Sequence, residues 1–77
     1  MRSPELVVDG AKVRVARETA GHTQDSLAKL IGVSRSAVAH WESTNTDEQP
    51  HGANFKALCK ALEAEPESLL VVRDAAA

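Results

Sequence analysis

Residues 23–42 read TQDSLAKLIGVSRSAVAHWE, and this run decides the fold. Thr23 can cap a helix by accepting a hydrogen bond from a free backbone N–H, and Asp25 places negative charge in the positive first turn. Leu27, Ala28, Leu30 and Ile31 then form an apolar stripe at helical spacing. Gly32 stops that helix, because glycine enters the left-handed conformation cheaply. Val33 fills the corner, and Ser34 caps a second helix on which Ala37, Val38 and Trp41 share one face. Ala28 and Gly32 are small residues one turn apart, which lets the second helix cross at close range. Arg35, Ser36, Ala39, His40 and Ser43 then point outward, and none is needed for a core.

Working outward, Asp9 can cap a first helix running to about Ala20, with Val13, Ala16 and Ala20 inward and Gly21 ending it. Arg14 and Glu18 stand four apart on its wet side, as solvated pairs do. Phe55, Leu58, Cys59 and Leu62 follow an i, i+3, i+4, i+7 pattern that predicts a fourth helix from about Ala53 to Glu63. Pro66, flanked by Glu65 and Glu67, suits a helix start and predicts a short fifth helix through about Val71, with Leu69 sealing the core. The expectation is an all-α domain of five helices over residues 9–72, with an N-terminal arm at 1–8 and an unstructured tail at 73–77. Leu6-Val7-Val8 is apolar and β-branched, so the arm reads either as an extended segment packed on the body or as disordered. Leu70, Val71 and Val72 offer more apolar surface than so small a domain buries alone. Either they pack on Leu6 to Val8 or they form an interface.

The string GHTQDSLAKLIGVSRSAVAHWE resembles the helix-turn-helix of the lambda-repressor-like, XRE/Cro-type family of bacterial and phage regulators. Thr23-Gln24, Leu27-Ala28, Gly32-Val33-Ser34, Val38 and Trp41-Glu42 carry the likeness, which extends more weakly over residues 10 to 70. The resemblance implies that the second helix of the pair enters the major groove of DNA while the first lies against the backbone. On that implication Gln24 bonds a phosphate with Thr23 assisting. Arg35 and Ser36 face base edges, Ala39 and His40 reach the next ones, and Ser34 and Ser43 flank the reading helix. Arginine can bond guanine in bidentate fashion, serine reads weakly, and an alanine methyl can meet thymine. In relatives the following loop touches a phosphate through backbone N–H groups, with a proline before the next helix. Pro50 matches that proline about two residues late, and Asp47 and Glu48 would repel a phosphate there.

Composition narrows the rest. Seventy-seven residues give room for one domain, and small domains have little surplus stability. No apolar run approaches the ~20 residues that span a bilayer, and MRSPELVVDG lacks the apolar centre of a signal peptide, so no membrane and a cytoplasmic location are expected. A single cysteine, Cys59, cannot form an internal disulfide and falls at a core position. His22, His40, His51 and Cys59 show no metal-ligand spacing, and no metal or cofactor is expected. Ser36 and His40 share a helical face but have no carboxylate beside them and no pocket, so catalysis is not expected. Net charge is −2, and the acidic bias lies after Thr46, whereas DNA-binding modules usually carry a basic surface. The leading expectation is a small sequence-specific repressor, binding a palindromic operator as a homodimer. The alternative is a protein-interaction module on the same fold, such as an antitoxin subunit paired with a toxin, or an antagonist of another regulator.

Overall fold

A computed structural model describes residues 4–43 and 49–74, with side chains described for 5–43 and 49–72. The order is strand β1 (Pro4–Val8), helices α1 (Gly10–Thr19), α2 (Gln24–Ile31), α3 (Arg35–Glu42) and α4 (Ala53–Leu62), a 3-10 turn at Pro66–Ser68, and strand β2 (Leu70–Asp74).

The first three helices each start where a side chain can take a free N–H. Asp9 caps α1 by accepting from Ala11, Ser34 caps α3 by accepting from Ala37, and Thr23 caps α2 in a reciprocal box with Ser26. Gly32 closes α2 at φ 80°, a left-handed turn that a side chain would strain. Only three residues, Gly32, Val33 and Ser34, separate α2 from α3, and this brevity forces the two helices against each other.

The core is Val13, Leu27, Ala28, Val38, Trp41, Leu58, Cys59, Leu62 and Leu69. It takes the inner stripe of every helix and is closed below by Leu69, as the periodicity indicated. Phe55 and Ile31 pack at its margin. Two positions depart from the expected stripes. Ala20 is exposed, and in its place Arg17, four residues after Val13, is buried. Leu30 is 59% exposed, because the stripe of α2 is narrower than the four apolar residues suggested.

The fifth helix is not formed. Pro66, Glu67 and Ser68 make one 3-10 turn, and the chain then extends as β2. The fold is thus four helices with a two-stranded antiparallel sheet. Val8 pairs with Leu70, Val7 with Val71, Leu6 with Val72, and Glu5 with Arg73. The physical reason is a partner distant in sequence: β-branched Val71 and Val72 gain a ladder from the N-terminal strand that a lone helical turn could not match. The supposed arm is therefore β1, and Arg73 and Asp74 of the supposed tail belong to β2. Leu70 to Val72 do pack on Leu6 to Val8, yet Leu6, Val71 and Val72 remain exposed. The acidic loop residues Thr46, Asp47 and Glu48, and the tail Ala75–Ala77, lie outside the described residues. No described helix is long and apolar enough to cross a membrane.

Candidate nucleic-acid interface

α3 is amphipathic in the sense that matters for recognition. Val38 is fully buried and Trp41 is 7% exposed, which fixes the back of the helix to the core. Arg35, Ser36 and His40 are exposed and Ala39 is half-buried. The Arg35 side chain makes no hydrogen bond or ion pair among the described residues. Eight residues at 1.5 Å each give a rod about 12 Å long, which matches the width of the major groove. Ser34 is committed to its cap, accepting from the Ala37 N–H at 3.1 Å. Ser43 ends the helix, its own N–H donating to the His40 carbonyl.

The pose of α3 is held by a charge network that the sequence reading overlooked. Arg17 of α1 reaches Glu42 at the end of α3 through two bonds, Nε to Oε2 at 2.6 Å and Nη2 to Oε1 at 3.1 Å. A third donor, Nη1, bonds the His22 carbonyl at 2.8 Å. The side chains of Arg17 and Glu42 are only 10% and 4% exposed. Hydrogen bonding to Glu42 holds the Arg17 guanidinium above its ordinary range, against the opposing effect of burial. Gln24 joins the same carboxylate, its Nε2 donating to Glu42 Oε1 at 3.1 Å. The side chain assigned to a phosphate is thus oriented by α3 itself, so α1, α2 and α3 share one junction. Gly10 lies on the same side: a Cβ there would come within 2.7 Å of the Trp41 and Glu42 backbone, so only glycine lets α1 start this close to the end of α3.

A shallow cleft beside α3 is lined by Arg14, Arg17, Thr23, Gln24, Asp25 and Arg35. It gathers Thr23, Gln24 and Arg35 from the candidate set and adds Arg14, which the sequence placed merely on a solvated face. Arg14 does contact Glu18, at 3.5 Å with both side chains more than half exposed, a geometry too loose to hold the guanidinium there. Asp25, which also lines the cleft, pairs with Lys29 at 3.1 Å. Gln24 and Asp25, whose N–H groups at the positive end of the α2 dipole have no intrahelical acceptor, line this cleft. Ser36, Ala39, His40 and Ser43 lie outside the cleft, farther along α3. A cleft lined by Arg14 and Arg35 thus adjoins a polar helix face of groove width.

Comparison with known proteins agrees with this geometry. The family described as "Helix-turn-helix domain" matches residues 10–70. Repressor protein C2 of Salmonella phage P22 is 39% identical over 61 residues, covering 79% of this chain and 27% of the relative. The HTH-type transcriptional regulator DicA of Escherichia coli strain K12 is 39% identical over 70 residues, covering 91% of this chain and 50% of the relative. The chain therefore spans about a quarter to half of these curated relatives. Among solved structures, the P22 c2 repressor in complex with a synthetic operator superposes with a TM-score of 0.70 at 38% identity, covering 78% of this chain and 88% of that one. The restriction-modification controller protein C.AhdI of Aeromonas hydrophila superposes with a TM-score of 0.67 at 33% identity, with the same coverages. With capped helices joined at Gly32, the buried Val38–Trp41 back of α3 and a match over residues 10–70, this chain belongs to the helix-turn-helix domain family, among the lambda-repressor-like, XRE-type regulators.

Proposed function

We propose that this domain binds double-stranded DNA sequence-specifically and acts as the DNA-reading part of a small transcriptional repressor, in the cytoplasm, without catalysis or cofactor. α3 enters the major groove with Arg35 and Ser36 at base edges and Ala39 and His40 one turn on, while Ser43 marks the far end of the contact. Thr23, Gln24 and the α2 N-terminus meet a phosphate in the cleft, and Arg14 adds a second cation there. The observation that carries this is the exposed Arg35 guanidinium at the junction of that cleft and the outer face of α3. The P22 c2 repressor has been solved on an operator with a similar fold, which supports the same pose here.

One such domain covers one half-site. Two-fold binding to a palindromic operator places two copies about 34–36 Å apart. A titration of operator and random duplexes across a salt series tests the reading. It predicts a steep fall in affinity with salt on both duplexes and a large excess for the operator at every salt. Equal affinity for the two would refute sequence reading.

The exposed Leu6, Val71 and Val72 give some support to a second reading, a protein-binding module such as an antitoxin subunit holding a toxin. Formation of a stable hetero-complex with the product of a neighbouring gene, without operator binding, would favour it.

A further inference from the structure

We infer that the free edge of β2 pairs antiparallel with the same edge of a second copy of this chain, about a two-fold axis at Val72, making a four-stranded sheet. The inference deepens the two-fold binding proposed above and rests on it for its purpose, though the contact can be tested without DNA.

The hydrogen-bond pattern of the small sheet identifies the edge. The Asp9 N–H donates to the Leu69 carbonyl at 2.9 Å across the two strands, so that pair is of the bonded kind. Antiparallel pairs alternate, which makes Val8/Leu70 and Leu6/Val72 non-bonded pairs whose N–H and C=O groups face outward. Two contacts agree: the Val8 N–H donates outward to Gln49 Oε1 at 3.0 Å, and the Leu70 carbonyl accepts outward from Lys12 Nζ at 2.9 Å. The β1 edge is closed to a further strand by Gln49 at one end and by Pro4, which has no N–H, at the other. The β2 edge has no such cover at Val72, whose outward groups make no hydrogen bond among the described residues.

The side chains favour the same occupant. Alternation puts Leu6, Val8, Leu70 and Val72 on one face. Val8 packs on the core, but the face runs on past the body to Leu6 and Val72, which are 65% and 62% exposed. A two-fold at Val72 sets Val72 opposite itself and continues the row from Leu6 through both valines to the second Leu6. It also sets Leu70 opposite the Asp74 backbone of the second copy, and the Leu70 carbonyl, which accepts from Lys12 Nζ at 2.9 Å, keeps a second lone pair for the partner strand. The contact is thus self-complementary in hydrogen bonds and apolar surface, as a two-fold interface must be.

Sedimentation equilibrium of the full chain over a wide concentration range should show a reversible dimer. Val72→Lys should shift it to monomer with the circular-dichroism spectrum unchanged, because two like charges then face each other at the axis while the β1–β2 ladder keeps its bonds. Register is read by oxidation. Val72→Cys should cross-link two copies, since a bonded pair lies about 5.5 Å apart at Cα, within disulfide reach. Val71→Cys, on the opposite face and diagonal to itself, should not. A wild-type chain that stays monomeric, whether or not its edge captures a strand of another protein, overturns the proposal. So does equal cross-linking by both cysteines, or a dimer unaffected by Val72→Lys. A single half-site duplex separates this from the DNA reading: Val72→Lys should bind it like the wild type while losing affinity for the two-half-site operator. Absence of half-site binding by the wild type would refute the DNA reading and leave the dimer test standing.

Discussion

Arg17 and Glu42 show what single buried residues do for the pose of α3. Their bonds are short and nearly dry, so removing one partner leaves the other charge buried and unpaired. Glu42→Ala should cost about 3–5 kcal/mol in chemical denaturation and release Gln24 as well. Replacing both charges with apolar residues of similar volume should cost much less, which a double-mutant cycle would show. The pair was hidden in the sequence because its members are 25 positions apart and both read as surface charges. The available signal was that Arg17 falls four residues after Val13, on the inward side of α1. Cys59 was legible from periodicity alone, and its burial raises the thiol pKa. The folded state therefore holds that proton more tightly than the unfolded chain. Its stabilising effect is present below the unfolded value of about 8.5 and is lost as pH rises through the folded value. Denaturation midpoints should fall on the alkaline side in the wild type and fall less in Cys59→Ala, and alkylation of Cys59 should track unfolding.

Among the elements, the close crossing of α1 and α3 sets the strictest limit. Gly10→Ala would drive a methyl into the backbone of Trp41 and Glu42, and it should destabilise the domain by about 1–3 kcal/mol in thermal melts. Ser34→Ala should cost about 1 kcal/mol by uncapping α3. The helix-turn-helix was legible because caps, Gly32 and the apolar stripes are local signals, each resolved within a turn or two of chain. The end of the domain was not. Pro66 and its flanking glutamates correctly indicate a turn of helix, but whether it propagates depends on a strand some sixty residues earlier. Leu6 to Val8 and Leu70 to Val72 each carried β-branched character, and neither run alone says which partner it has. The site divides the same way. The outer face of α3 followed from the position of Val38 and Trp41, whereas Arg14 enters the cleft only through the way α1 packs against α3.

For the whole molecule the difficulty is charge. A net of −2 supplies no general attraction to DNA, so phosphate binding has to come from the local arrangement of Arg14, Gln24 and the α2 N-terminus. Arg14→Ala should weaken all duplexes alike and lower the salt slope by about 1, and Gln24→Ala should weaken them uniformly too. Arg35→Ala should act differently, because base contacts carry sequence information and phosphate contacts do not. Selection of bound fragments from a random duplex library, run in parallel for the wild type and Arg35→Ala, measures that difference directly. The wild type should return a two-fold sequence, and the variant should return the same sequence with one base position per half-site relaxed, at a cost of about 1–3 kcal/mol on the original site. An unchanged preference in the variant would contradict the assignment of the outer face of α3 as the surface that reads DNA.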